Sequence, residues 1–414
     1  MTDQNKTRIR LEGVSKVFGR QAQQAVDDLR KGKSKTEVQA EHAAVVGAFD
    51  VSMEIRSGEI FVIMGLSGSG KSTLLRLINR LHEPSTGRVV IDGEDITKLD
   101  SKGLRALRRQ KFGMVFQSFA LLPHRTVMGN VEFGLEVQGV DKQTRQQQAQ
   151  EVIDTVGLSG YETKYASELS GGMQQRVGLA RALAADPEIL LMDEAFSALD
   201  PLIRSQLQDD LLEIQDRLGK TIVFVSHDLD EALKLGSRIA IMRDGRLIQV
   251  GTPEEIIANP ADDYVSAFVE GADRTQVLTA EQIMRRPSTT GHPEDAPRTL
   301  LRKMERSGFG GLVMVDNSRK LHGYVGLDTV IGQRDAERLD KSTVTSLPTA
   351  GLDTSVNDMI TLVTEKTAPI VILDERERVV GIVDKSTLLA ALAQGDNSEA
   401  AAEQAEPQPA DTDA

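Results

Sequence analysis

A glycine-rich run between residues 65 and 73 has the residue types needed to hold phosphate groups. It follows the apolar run Ile60–Met64, which predicts a strand, and it opens Ser72–Arg80, which predicts a helix. Glycines let backbone N–H groups curl around phosphates, and the start of a helix adds a favourable dipole. We therefore expect ATP to bind here through Gly65, Ser67, Gly68, Ser69, Gly70, Lys71, Ser72 and Thr73. Lys71 would reach the β- and γ-phosphates, and the Ser72 hydroxyl would ligate Mg²⁺.

A second apolar run ends in two acids. Ile189–Asp193 predicts a buried strand, and Glu194 follows it directly. Such a run is common by itself, but this one follows a phosphate loop by about 120 residues. We therefore expect Asp193 to hold Mg²⁺ through water and Glu194 to act as the general base toward the attacking water.

The run Leu169–Arg176, LSGGMQQR, resembles the signature of the ABC ATPases, with Met173 at its fifth position. The resemblance implies a second anion site built from Ser170, Gly171 and Gly172 at the start of a helix. In that family this site closes on the γ-phosphate held by a partner's phosphate loop, and Asp200 joins it in trans. A homodimer of ATPase subunits is therefore implied.

Other residues match further elements of the same family. The resemblance makes Gln117 the residue that senses Mg²⁺ and the transmembrane partner, and His227 the switch histidine that steadies the γ-phosphate. It places Phe18 under the adenine ring, although a long insertion follows Phe18 and leaves core packing as the alternative. The catalytic set is therefore Glu194, His227, Lys71 and Gln117, and the Mg²⁺ ligands are Ser72, Gln117 and Asp193.

Three longer runs narrow the resemblance to the ATPases of glycine betaine/proline importers: Gly65–Leu75, Phe116–Leu121 and Met192–Arg204. Those proteins also have a helical insertion after the first strand and two C-terminal CBS units. The implied function is ATP hydrolysis that powers osmoprotectant import, together with permease subunits and an extracytoplasmic substrate-binding protein. In the family, the segment Ser118–Pro123 docks on the permease, through Phe119, Leu121 and Leu122, unless these side chains pack inside the helical subdomain.

Three alternatives remain open at this point. The first is an import ATPase for another small solute. The second is a soluble ABC ATPase in DNA repair or translation, although such proteins typically carry coiled coils or two cassettes. The third is a CBS sensor with a vestigial ATPase, which the intact Lys71, Asp193, Glu194 and His227 disfavour.

The elements that must position these residues predict an α/β fold. Short β-rich runs alternate with helical patterns, which indicates a parallel sheet flanked by helices. The predicted ABC ATPase domain spans residues 1–272, a RecA-like core with a helical insertion at about 20–47 and a helical subdomain at about 118–170. Arg8–Phe18 is the opening strand, Ser34 and Glu37 form a possible capping box in the insertion, and Gly251–Ala272 is interpreted as a connecting segment.

An internal repeat follows. Gly311–Asp316 with Leu321–Val325 parallels Pro369–Asp374 with Val379–Val383, and a helix precedes each copy (Ala296–Glu305 and Ser355–Thr364). One copy cannot bury its own apolar face, so we expect the pair to pack as one α+β tandem CBS domain at 273–394. The acidic residues 395–414 predict a disordered tail.

The repeat departs from nucleotide-binding CBS units, because Gly326 and Asp384 stand where Ser or Thr is usual. This disfavours adenosine nucleotides and favours regulation by ionic strength or by another ligand. Arg298, Arg302 and Arg306, with Lys303 beside them, form a basic helix stripe that could contact anionic lipid or the acidic tail. A solvated helix face is the alternative.

The composition limits the location and the partners of the chain. Its 414 residues carry a net charge of −13, which argues against nucleic acid as a partner, and they include no cysteine. No run reaches the length of a membrane-spanning helix, and the first ten residues lack the apolar core of a signal peptide. We expect a peripheral subunit on the cytoplasmic face of the plasma membrane.

Overall fold

The computed structural model describes residues 6–270, 275, 277–287, 289–307, 310–364 and 369–389. The chain divides into two compact units, Met1–Val269 and Glu270–Ala414. The division lies three residues before the predicted boundary at 272/273. The predicted tail at 395–414 lies outside the described residues.

The central sheet of the first unit has six strands in the order β10-β9-β3-β8-β7-β6, and all neighbours are parallel except β9 and β10. Every residue of β3, β7 and β8 is buried. Continuous apolar runs are typical of parallel strands that are covered on both faces. The strands are β3 (Ile60–Met64), β6 (Phe112–Phe116), β7 (Ile189–Asp193), β8 (Thr221–Val225), β9 (Arg238–Arg243) and β10 (Arg246–Gly251).

A second sheet of this unit is antiparallel, with the order β2-β1-β4-β5. The sequence predicted only its first strand. From Asp50 to Arg56, exposed and buried residues alternate along β2, so one face of the strand packs on the core and the other meets solvent. The strands are β1 (Thr7–Phe18), β2 (Val45–Arg56), β4 (Thr86–Ile91) and β5 (Glu94–Asp95).

The helices of the first unit fall into three groups along the chain. The insertion consists of α1 (Ala22–Arg30) and α2 (Lys35–His42), and the predicted capping box of Ser34 and Glu37 is present. The mainly helical segment contains α5 (Val127–Val131), α6 (Phe133–Gln138) and α7 (Lys142–Thr155), and α8 (Gly171–Leu183) follows. The core carries α3 (Lys71–Ile78), α4 (Ser101–Lys111), α9 (Pro201–Leu218) and α10 (Leu229–Leu235).

The interpretation of Gly251–Ala272 as a simple connecting segment is wrong for its described part. It forms α11 (Pro253–Ala258) and α12 (Asp263–Val269), with Ile256, Val265 and Val269 buried. Pro253 opens α11 rather than breaking a helix, since its missing N–H would have no intrahelical partner at that position.

In the second unit, the two repeat copies share their cores. Copy one contains α14 (Pro297–Ser307), β11 (Gly311–Val315), β12 (Leu321–Gly326) and α15 (Leu327–Gly332); copy two contains β13 (Thr349–Gly351), α16 (Val356–Thr364), β14 (Ile370–Leu373) and β15 (Val379–Val383). The segment before copy one, with α13 (Ala280–Ile283), packs against Val356 and Ile370 of copy two. Arg285 also bridges to Ile382, so each copy completes its core with the other.

Two details of this unit bear on regulation. One oxygen of the Asp384 carboxylate, Oδ1, accepts hydrogen bonds from the Thr387 amide at 2.8 Å and from the Ser386 hydroxyl, which is a capping arrangement. Arg298, Arg302 and Arg306 are exposed, whereas the Lys303 ammonium lies 2.7 Å from Asp295 and 3.0 Å from the Thr290 carbonyl. The inclusion of Lys303 in the basic stripe is therefore wrong, because its charge is already paired.

The insertion is held by a small core and by a charged cluster. Val26, Leu29 and Val38 pack with Val46 of β2. Around them, the Asp28 carboxylate lies 3.0 Å from the His42 ring and 3.0 Å from the Lys33 ammonium. Hydrogen bonds from His42, then Lys33 and Lys31, hold the pKa of Asp28 well below its ordinary value of 3.8. Although Asp28, Glu41 and His42 are close enough to share a metal ion, the Lys33 ammonium bonds both carboxylates.

We expect the insertion to loosen in acid. Because the folded pKa of Asp28 is lowered, its stabilisation is complete above 3.8 and is lost as the pH falls below it. The protection of α1 and α2 against hydrogen exchange, taken relative to the intrinsic exchange rate at each pH, should therefore fall as the pH drops below about 4. Asp28→Asn should show fast exchange already at pH 7, and Asp27→Asn, whose carboxylate is 3.8 Å from Arg30, should behave like wild type. Equal exchange in both variants would contradict this role of Asp28.

Candidate active site

The predicted site residues meet because the central strands end at one edge in register. Phe116, Asp193 and Val225 are direct neighbours across β6, β7 and β8, and Val225 pairs with Ile63 of β3. The residues that follow these strands therefore emerge side by side: Gln117, Glu194, Ser226 with His227, and the loop that begins at Gly65. In open α/β sheets, ligands bind at the edge formed by the carboxyl ends of the parallel strands, which is the edge described here.

Glycine is required at two positions of the loop. Gly65 has φ +143° and a Cβ there would lie 2.2 Å from the Met242 carbonyl, while a Cβ on Gly70 would lie 2.1 Å from the Gly47 carbonyl. Gly70 is also the N-cap of α3 and offers no side chain to its first amides. Those amides are donors for an anion at the helix start. A cavity of about 460 Å³ lies over the loop, and the loop residues that line it are Ser67, Gly68, Gly70, Lys71, Ser72 and Thr73.

Lys71 is buried at the base of the cavity. Its ammonium donates to the Gly65 carbonyl at 2.8 Å and to the Leu66 carbonyl at 3.3 Å, and it lies 3.9 Å from the Glu194 carboxylate. Burial lowers the pKa of Lys71, and the charges of Glu194 and Asp193 oppose this shift. A desolvated cation among neutral carbonyls interacts strongly with a bound phosphate.

Glu194 lies next to each of the other predicted catalytic residues. It has a positive φ of 47°, and its N–H donates to the Val225 carbonyl at 3.1 Å. Its carboxylate accepts a hydrogen bond from the Gln117 amide at 3.3 Å and lies 3.5 Å from Nδ1 of His227. The structure therefore brings Gln117, Glu194, His227 and Lys71 together, and Glu194 and Lys71 line the cavity.

Asp193 is buried beside Lys71, and its carboxylate pairs with the Arg76 guanidinium at 3.2 Å. Arg76 was not predicted from the sequence. Ser72 lines the cavity, so a carboxylate, a hydroxyl and the Gln117 amide surround the catalytic corner. Oxygen ligands of this kind suit Mg²⁺.

A buried polar cluster supports the loop that carries His227. The Glu231 carboxylate accepts hydrogen bonds from the Ser226 hydroxyl and from the Gln208 amide at 3.1 Å. The Ser226 hydroxyl in turn accepts the Asp228 N–H at 3.0 Å. Burial raises the pKa of Glu231, against these hydrogen bonds. His227 is thus flanked by two residues fixed to the interior, which restrains its backbone.

Phe18 lies at the other end of the cavity and is 36% exposed, so the alternative of a core position does not hold. Its ring meets His82 edge-on at 5.2 Å, and the Lys16 ammonium lies 5.0 Å from its centre. Gly47 permits this arrangement, because a Cβ there would lie 2.9 Å from the Phe18 ring. Part of an aromatic ring therefore borders the cavity.

The signature residues do not line this cavity. Ser170 caps α8 by accepting the Met173 amide, and Asp200 caps α9 by accepting the Ile203 amide at 3.1 Å. Gly172 contacts the same α9, since a Cβ there would lie 2.5 Å from Ile203. Gly171 and Gly172 open α8. The predicted second anion site therefore lies at a helix start that does not line the cavity over the chain's own phosphate loop.

The segment after Gln117 has an unusual backbone. Phe119 and Ala120 both have positive φ, and the Arg181 guanidinium bonds their carbonyls. The buried Asn130 amide group bonds both the N–H and the carbonyl of Leu122. Phe119, Leu121 and Leu122 are half-buried, so each of them keeps surface for a partner.

Sequence reasoning missed several cavity residues. Lys35 and Gln39 come from α2, and Val45, Val46 and Gly47 come from β2. Their only sequence signal was the insertion itself, because the contact with the phosphate loop is non-local. Arg76 was readable as a cation one helical turn beyond Ser72, but nothing in its spacing indicated Asp193 as its partner.

A phosphate loop, an acid pair at a strand end and a glycine-rich helix start define a P-loop ATPase of the ABC class. Comparison with known proteins agrees. Residues 48–197 match the ABC transporter family model, and residues 280–334 and 343–394 match the CBS domain model. A dimeric solved structure of an ATP-binding cassette in a post-hydrolysis state with ADP and Pi is similar at TM-score 0.51 and 33% identity, and the match covers 59% of this chain and 98% of that one.

Two curated relatives are similar over nearly the whole chain. The glycine betaine transport ATP-binding protein OpuAA of Bacillus subtilis is 49% identical, with 94% of each chain covered. The glycine betaine/proline betaine ATP-binding protein ProV of Salmonella typhimurium is 45% identical, covering 93% of this chain and 97% of the relative. The chain belongs to the ABC transporter ATP-binding proteins that carry a C-terminal pair of CBS domains. The predicted family, fold class and ABC ATPase activity are thereby confirmed.

We expect Glu194→Gln to separate ATP binding from ATP hydrolysis. The amide cannot accept a proton, so turnover should fall about 100-fold or more, while ATP affinity should stay within about twofold. Glu213→Gln, an exposed carboxylate on α9, is the matched control and should keep wild-type turnover. Steady-state hydrolysis and equilibrium binding of ATP measure the two effects. A Glu194→Gln protein that hydrolyses ATP at the wild-type rate would show that another residue is the base.

Proposed function

We propose that this chain powers the import of glycine betaine, proline betaine or a related osmoprotectant through ATP hydrolysis. The observation that carries the proposal is the near full-length similarity to glycine betaine transport ATP-binding proteins, CBS pair included. The cavity with its lysine and carboxylates supplies the machinery.

The geometry suggests how ATP is handled. The adenine would lie against Phe18, and the phosphates would receive the amides at the start of α3 and the Lys71 ammonium. Mg²⁺, held by Ser72, Gln117 and Asp193, would neutralise phosphate charge. Glu194 would take a proton from the attacking water, and His227 would steady the γ-phosphate while contacting Glu194.

The signature of one chain would complete the site of another. Ser170, Gly171 and Gly172 open a helix outside the chain's own cavity, and Asp200 caps the neighbouring α9. In a head-to-tail homodimer these residues would face the partner's γ-phosphate. ATP binding would then close the dimer, and hydrolysis would reopen it.

The permease and the substrate-binding protein complete the assembly that we propose. None of the helices in the described part of the chain combines the length and the apolar character that a membrane crossing demands. By the similarity to ATP-binding subunits of transport systems, we propose that the chain is a peripheral subunit on the cytoplasmic face of the plasma membrane. The segment 118–123, fixed by Arg181 and Asn130 and joined to Gln117, would pass the state of the ATP site to the permease.

The CBS pair would regulate import by ionic strength. The exposed guanidinium groups of Arg302 and Arg306 lie on one helix with Arg298, whose 3.1 Å pair with Asp335 is solvent-exposed. Exposed charges of this kind attract anionic lipid at low salt and are screened at high salt. Nucleic acid has no part in this proposal.

The test is ATP hydrolysis by the complex with its permease and binding protein in anionic-lipid vesicles. With glycine betaine present, we expect stimulation only above a threshold of salt, because screening releases the regulatory contact. Glucose serves as the neutral solute control. Hydrolysis that ignores betaine at every salt concentration would overturn the osmoprotectant assignment and leave the ABC ATPase standing.

We expect the triple change of Arg298, Arg302 and Arg306 to Gln to lower the salt threshold of the same vesicles. Removing the charges weakens the lipid contact, so less salt is needed to release it. Changing the exposed Arg319, Arg334 and Arg338 to Gln removes equal charge from elsewhere in the unit and should leave the threshold unchanged. If both triple variants shift the threshold equally, total charge and not the stripe sets it.

A further inference from the structure

The helical insertion reaches the nucleotide cavity. Lys35 and Gln39, one turn apart on α2, line it together with Phe18 and the phosphate loop. The Lys35 ammonium lies 3.3 Å from the Gly68 carbonyl, at the loop and not at the aromatic end. Gly68 borders the same cavity. An element outside the ATPase core therefore supplies a second cation to the phosphate end of the site.

The present partners of Lys35 hold its charge only weakly. Among the described residues, its nearest carboxylate is that of Asp244, which is 4.0 Å away and 67% exposed, and its other partner there is a neutral carbonyl. A solvent-exposed pair of this kind contributes little. The Lys35 side chain is itself only 26% exposed. A polyphosphate in the cavity would be a far stronger partner, because charge-assisted hydrogen bonds exceed neutral ones.

The position of Lys35 at the start of α2 does not explain why a lysine stands there. It is the first residue of α2, where the helix dipole disfavours a positive charge. The capping box of Ser34 and Glu37 already stabilises this end without it. The other lysines of the insertion differ, since Lys31 and Lys33 pair with the Asp28 carboxylate.

We propose that Lys35 binds the phosphates of the nucleotide, so that the insertion forms one wall of the ATP site. The inference rests on the proposed binding of ATP at the loop that carries Lys71. Lys71 would contact the phosphates from the base of the cavity, and Lys35 would contact them from α2. Lys35 is a binding residue and takes no part in proton transfer. Nucleotide release then requires the Lys35 contact to break, which makes the insertion part of the binding equilibrium.

The test compares nucleotide affinities of the purified full-length chain. In Lys35→Gln, ATP and ADP should bind about 3- to 20-fold more weakly, the range for one partly exposed charge-assisted contact. Adenosine, measured by competition against a fluorescent ADP analogue, should bind as in wild type because it lacks phosphate. Lys35→Arg should restore most of the affinity, and Lys35→Met, which keeps the stem, should behave like Lys35→Gln.

Lys31→Gln is the matched control: the same charge leaves the same insertion, from a side chain that is 72% exposed and outside the cavity lining. Wild-type affinity of Lys35→Gln and Lys35→Met for ATP and ADP would overturn the inference. Equal weakening of adenosine and ATP would also overturn it, since Lys35 would then only shape the cavity. A wild-type chain that binds no ATP would instead refute the proposed function. Thermal unfolding of each variant separates these results from a folding defect.

Discussion

The site depends on the register of four parallel strands. Because Phe116, Asp193, Val225 and Ile63 are aligned across the sheet, the side chains that follow them converge without any long loop. A shift of one residue would turn each buried run toward the opposite face and would separate Glu194 from Lys71. The buried, uninterrupted apolar strands therefore stabilise the fold and also set the distances between the residues of the candidate site.

The local pattern was sufficient to predict the parts of this arrangement that are encoded in short runs. The bounds of β3 and β7 agree with the apolar runs 60–64 and 189–193, and the capping box of Ser34 and Glu37 was readable from two residues. The antiparallel sheet was missed because β1 pairs with β4 across almost eighty residues, and such pairing leaves no local trace. The helices α11 and α12 were missed because Pro253 and Pro260 are typical of both linkers and helix starts.

The candidate site likewise contains residues that short sequence motifs indicate and residues that only the structure reveals. Lys71, Glu194 and Gln117 lie in motifs whose spacing indicates their roles, and the structure brings them together. Arg76 opposite Asp193 and Lys35 beside Gly68 are long-range partners, so only the tertiary structure connects them. In the basic stripe, by contrast, the sequence pattern included a residue that the structure excludes. Spacing alone included Lys303, but its ammonium bonds Asp295, so a helical pattern cannot tell a free charge from a paired one.

The insertion is more than a surface extension, because its core and its charges favour the same geometry. Val26, Leu29 and Val38 pack on Val46, and Val46 itself lines the nucleotide cavity. The helix that carries Lys35 is thus anchored to a strand that borders the cavity. A nucleotide that contacts both α2 and β2 would stabilise this packing in proportion to its affinity, by ordinary linkage between binding and folding. Since the cluster around Asp28 holds α1 against α2, the proposed contact of Lys35 with a nucleotide would couple the stability of the insertion to the occupancy of the cavity.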